Sequence, residues 1–203
     1  MRRSFSILEC FILLALVSAA ATVAIPRWAS DRIVTNEQRA AVMLREIAAA
    51  QAAFHLRNGT YGLLEELTGD PSSRGLKVEP ACLEAPTPWL GAAEFNGYLF
   101  SVYLPTKQGH GALSHVEVDP EAGAKAWVAY AWPVHYGITG RRVLVVTPAG
   151  EVFAYENAVM PFTTRERRPF AELAWAKLDP KTPFEEPGGW VTQVRWDPVA
   201  DSR

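Results

Sequence analysis

The stretch Ser4-Phe5-Ser6-Ile7-Leu8-Glu9-Cys10-Phe11-Ile12-Leu13-Leu14-Ala15-Leu16-Val17-Ser18-Ala19-Ala20-Ala21-Thr22-Val23-Ala24-Ile25-Pro26 decides how this chain is read. Its 21 residues from Phe5 to Ile25 carry one formal charge, Glu9, and contain neither Gly nor Pro. A helix of about 20 apolar residues is what a bilayer core requires. Arg2 and Arg3 ahead of it predict that the short N-terminus stays in the cytoplasm. A cleaved secretory signal is the competing reading, and Ala19-Ala20-Ala21 offers it a small-residue cut. Against it stand an apolar run longer than the usual ~7–15 residues and an acid near its start. An ionisable group inside hydrocarbon is costly enough that it normally has a partner or a function, so Glu9 is the most informative residue of the segment. Its bland alternative is a carboxylate reaching the interface.

Beyond Pro26 the pattern turns amphipathic. Ile33, Ala40, Leu44, Ile47, Gln51 and Phe54 fall along one side of a helix, widened by Met43 and Ala50, while Asp31, Arg32, Glu37, Arg39, Arg45 and Glu46 occupy the rest. Asn58-Gly59 supplies the residues that close a helix C-terminus. Pro26 removes one backbone hydrogen bond and predicts a bend or loosened turn near residues 22–26.

Residues 60–97 read as a loop region with a short turn of helix around Leu63 to Leu67. Strands are predicted at Tyr98–Leu104, Ala126–Trp132, Val143–Thr147 and Val152–Tyr155, from β-branched and aromatic runs bounded by Gly or Pro. Pro148-Ala149-Gly150 is the turn between the last two. The tail from Met160 to Arg203 predicts a small helix over Phe170–Leu178 and a terminal strand near Trp190–Trp196. The fold class expected is α+β: a long N-terminal helix, transmembrane in its first half and amphipathic in its second, on an antiparallel sheet of about four strands. The divisions are 1–4, 5–26, 27–58 and 59–203.

Composition narrows the function classes. With 203 residues, 49% hydrophobic and a net charge of -2, the chain lacks the concentrated Lys and Arg excess that a phosphate-binding face needs. No nucleic-acid partner is expected, and Arg165, Arg167 and Arg168 read as a solvated loop. Cys10 and Cys82 lie too far apart in kind of segment to pair, so the folded part depends on its core. No phosphate loop, nucleophile elbow or metal-spaced Cys/His set is present, and neither a cofactor nor an enzymatic activity is expected. His110 and His115 lack a third ligand nearby. Glu117, Asp119 and Glu121 fit a calcium loop or a plain turn. Among the Trp residues, Trp89, Trp190 and Trp196 are the best candidates for exposure.

Ser4-Phe5-Ser6-Ile7-Leu8-Glu9, behind the leader Arg2-Arg3, resembles the processing site of type IV prepilins and type II secretion pseudopilins. The run Gln51-Ala52-Ala53-Phe54 through Tyr61-Gly62 is similar to the end of that family's helix. The resemblance implies cleavage between Ser4 and Phe5 by a prepilin peptidase, N-methylation of Phe5, and assembly through Glu9 and a helix-bending Pro26. Glu9 would neutralise the terminal amine of Phe5 in a neighbouring subunit. Ser4 stands where the family most often has Gly, and Cys10 where it has a second aliphatic residue. The implied function is a structural subunit of a pilus or pseudopilus, with other pilin or pseudopilin subunits and an inner-membrane assembly platform as partners. The implied location is the bacterial inner membrane, single-pass, with the C-terminal domain periplasmic or extracellular. The alternative is a membrane-anchored binding or adhesion module that does not polymerise. Incorporation into filaments separates the two.

Overall fold

The computed structural model describes residues 7–72, 74–108, 111–114, 117–159, 161–174 and 195–200; within its first helix the side chains of Ala21 and of residues 23–26 are also outside the description. One helix, α1, runs over Ile7–Asn58. It ends where Gly59 takes φ +70° and donates its N–H to the His55 carbonyl at 2.8 Å. A short helix α2, Leu64–Leu67, follows.

Apart from two 3-10 turns, Ala122–Ala124 and Ala171–Leu173, the remaining elements build one antiparallel sheet. Its strands are β1 (Ala93–Phe95), β2 (Tyr98–Pro105), β3 (Gly111–Ala112), β4 (Val128–Pro133), β5 (Arg142–Val146), β6 (Val152–Glu156) and β7 (Asp197–Pro198). The order is β1-β2-β4-β5-β6-β7, with β3 also paired to β2. β1 and β2 form a hairpin whose turn residues, Asn96 (φ +49°) and Gly97 (φ +78°), are the Asn-Gly pair suited to positive φ at both positions. The β5–β6 turn closes through Gly150, φ +86°, whose N–H reaches the Thr147 carbonyl at 2.9 Å.

Two apolar layers clothe the sheet. On one face Ala40, Met43, Leu44, Ile47, Ala50 and Phe54 of α1, with Leu64 and Leu67 of α2, pack on Phe100, Val102, Leu104, Trp127, Leu144 and Val146. On the other, Leu99, Tyr103, Tyr130, Trp132, Val143 and Val145 lie under Ala171, Leu173, Ala174 and Trp196. Covering both faces explains why every residue of β2 and β4 is buried and why neither alternates polar with apolar.

The expected fold class is corrected on two points. Among the described residues the sheet has seven strands instead of about four. The additional ones, β1, β3 and β7, span two or three residues each and are too short to show a two-residue period; β7 lies just beyond the terminal strand expected near Trp190–Trp196, of which residues 190–194 lie outside the described residues. Nor does a transmembrane half stand: no helix among the described residues is long and apolar enough to cross a membrane. The expectation of a single-pass inner-membrane protein is therefore not sustained.

Candidate assembly surface

The two halves of α1 have different surroundings. Among its described side chains the first buried one is Ile33, 7% exposed. Before that point Ile7, Leu8, Phe11, Ile12, Leu13, Leu14, Leu16 and Val17 are all exposed, from 51% at Leu13 to 78% at Ile7. These residues point in every direction around the axis, since Phe11 to Leu14 alone complete a full turn. The hydroxyls that interrupt them turn inward on the helix backbone: Ser18 Oγ donates to the Leu14 carbonyl at 2.8 Å and Thr22 Oγ1 to the Ala19 carbonyl at 2.7 Å. From Phe11 to Val17 the surface left to neighbours is thus apolar on all sides. A helix apolar all round is normally a buried one.

Glu9 sits in the first turn of α1 and is exposed, where a carboxylate meets the positive end of the helix dipole. Cys10 beside it is a free, exposed thiol. Ser4 and Phe5 lie outside the described residues, as does the side chain of Pro26, across which the helix assignment continues unbroken. Of the four predicted processing and assembly residues, then, the structure places one side chain, Glu9.

The second half of α1 is fastened to the domain by polar contacts as well as by its apolar stripe. Glu37, 5% exposed, accepts the Arg141 N–H at 3.0 Å and the Arg142 N–H at 3.2 Å on Oε1, and Arg142 Nε donates to its Oε2 at 2.6 Å. Asn36 Nδ2 donates to the Thr139 carbonyl at 2.9 Å. Tyr98 donates its hydroxyl to the Arg142 carbonyl, and burial, then the charge of Glu37, holds that phenol well above the usual tyrosine range. Further along, Gln51 exchanges two hydrogen bonds with Gly62, at 2.7 and 2.9 Å. These pins fix how α1 leaves the domain.

At the exit a cleft of about 450 Å³ opens between α1 and the β1–β2 turn, lined by Trp28, Asp31, Arg32, Thr35, Asn36, Arg39, Asn96 and Gly97. The Arg32 guanidinium lies over the Trp28 ring, 5.6 Å from its centroid. Sequence reasoning did not find this cleft. Asn96-Gly97 was the available signal, because that dipeptide marks a tight hairpin and hence a loop brought back against the helix.

Elsewhere the predicted candidates dissolve into structure. His110, His115 and Trp190 lie outside the described residues, and among those described no group of three or more His, Cys, Asp or Glu is placed to hold a metal. Asp119 Oδ1 accepts the Ala122 N–H at 2.8 Å and Glu121 pairs with Lys125 at 2.7 Å, the contacts of a turn. Trp196, one of the candidates for exposure, is instead buried beside Tyr155 in the apolar layer opposite α1. Trp89 is 63% exposed, with Arg165 stacked over it at 5.5 Å. No family model, curated protein or solved structure matches the chain.

Proposed function

We propose that this protein is a pilin-like structural subunit, matured by cleavage between Ser4 and Phe5, which associates with copies of itself or with related subunits through the first half of α1. The observation that supports the reading is the apolar surface from Phe11 to Val17, exposed on every side while the helix from Ile33 onward is seated on the sheet. Removing that surface from water is favourable by roughly 25 cal/mol per Å², and parallel helices of other subunits are the partners of matching shape. The sequence Ser4-Phe5-Ser6-Ile7-Leu8-Glu9 adds a route to maturation, with a prepilin peptidase as processing partner. A new amine at Phe5 and the carboxylate of Glu9 would then neutralise each other between subunits, an interaction strengthened by the low dielectric of an apolar helix bundle.

Mass spectrometry of the mature N-terminus tests this reading. The expected product begins at Phe5 and carries one extra methyl group. An intact Met1, or a start near Ala21, would exclude it.

A further inference from the structure

The exit of α1 from the domain carries three exposed arginines, Arg27, Arg32 and Arg39, against one exposed acid, Asp31. Glu37 is the other acid of this segment, and it is buried and committed to Arg142. No carboxylate among the described residues pairs with Arg32 or Arg39. Both line the cleft against the β1–β2 turn. Seven residues apart, they lie on one face of the helix about two turns from each other, near 10 Å along the axis. Between them Thr35 and Asn36 face the same cleft, and Asn36 is already held by the Thr139 carbonyl.

This charge pattern limits how copies can associate. Helices bundled side by side at equal height would bring the arginine-rich exits of all copies together, a repulsion that opposes the gain from their apolar segments. An axial offset removes the repulsion, since each exit then lies alongside the domain of a neighbour. We propose that the Arg32–Arg39 cleft receives an exposed carboxylate from the domain of a second copy, and that this contact sets the axial offset between subunits. The proposal rests on the assembly reading above and adds its register. An arginine fork in a concave, partly enclosed site favours a carboxylate over a neutral group because it can donate two parallel hydrogen bonds.

The test uses the full-length chain with Arg39→Lys, which keeps the charge at an exposed position and supplies an amine that carbodiimide can couple to a touching carboxylate. Mixing isotopically light and heavy chains separates links between copies from links within one. The expected result is a mixed-isotope product joining position 39 to an Asp or Glu of residues 59–203, lost in Asp- or Glu-blocked controls and weakened as salt rises from ~0.05 to ~0.5 M. A second variant, Arg39→Glu, is expected to keep self-association while losing that single register. Two results overturn the inference. If chains associate yet give no mixed product, and Arg39→Glu assembles in unchanged register, the contact is absent while assembly stands. If the unmodified chain does not self-associate at all, the inference falls together with the assembly reading.

Discussion

Leu14 and Leu44 belong to one helix, yet Leu14 is 63% exposed and Leu44 is fully buried. The two halves of α1 differ less in apolar content than in what faces them. After Ile33 the buried apolar positions form a single stripe, and the sheet supplies the covering layer. Before it they surround the axis, and no stripe could be satisfied by one domain. A stripe specifies folding against a partner in the same chain, whereas an all-round apolar surface calls for several partners at once.

Substitutions that remove core contacts break the comparison most sharply. Phe54→Ala is expected to lower domain stability by about 3–5 kcal/mol in urea unfolding. Leu14→Ala should leave the same transition within ~0.5 kcal/mol. Equal losses at both positions would mean that the N-terminal half is covered by its own domain.

Alkaline pH probes the same division. Burial raises the phenols of Tyr98, Tyr103 and Tyr130, all in the sheet. Their folded-state values exceed the ordinary ~10 of an unfolded chain, so the stabilisation they carry is complete below pH ~10. It declines as pH rises through the window above, because the unfolded chain releases protons that the fold retains. The expected slope is on the order of 1 kcal/mol per tyrosine per pH unit. Absorbance at alkaline pH should show these phenols ionising only with unfolding, and early ionisation would contradict the two-layer packing.

Glu37→Ala tests the polar pin at the junction of the halves. It strands two backbone N–H groups and Arg142, and a loss of roughly 2–3 kcal/mol is expected, reduced by the partial exposure of Arg142. Thermal unfolding reads it. By contrast Glu121→Ala, at an exposed pair with Lys125, should change stability by at most ~0.5 kcal/mol.

How much of this was legible beforehand follows from the length of each signal. The stripe Ala40, Leu44, Ile47, Phe54 repeats over many turns, so the helix and its buried face could be read directly. The strands β2, β4, β5 and β6 each hold at least five residues and fell close to the predicted runs. β1, β3 and β7 are too brief for periodicity, which is why the sheet was underestimated. The second apolar layer had left a trace: Tyr98-Leu99-Phe100-Ser101-Val102-Tyr103-Leu104 shows no polar alternation, as expected of a strand buried on both faces. That trace pointed to a cover without saying which segment supplied it; Ala171 and Leu173 come from the stretch read as a small helix over Phe170–Leu178, which forms a 3-10 turn over Ala171–Leu173, its residues 175–178 lying outside the described ones, and Trp196 comes from near the expected terminal strand. At the candidate surface, Glu9 and the apolar run were visible in sequence. The Arg32–Arg39 cleft was not, because it depends on the Asn96-Gly97 turn returning to a helix some sixty residues earlier.

Sedimentation of the full-length chain beside Ile12→Glu/Leu16→Glu tests most directly the proposal that the first half of α1 joins subunits. Large assemblies are expected for the unmodified chain and a monomer for the double variant, with both showing the same unfolding transition of the domain. A monomeric unmodified chain, or assemblies unaffected by the two charges, would contradict it.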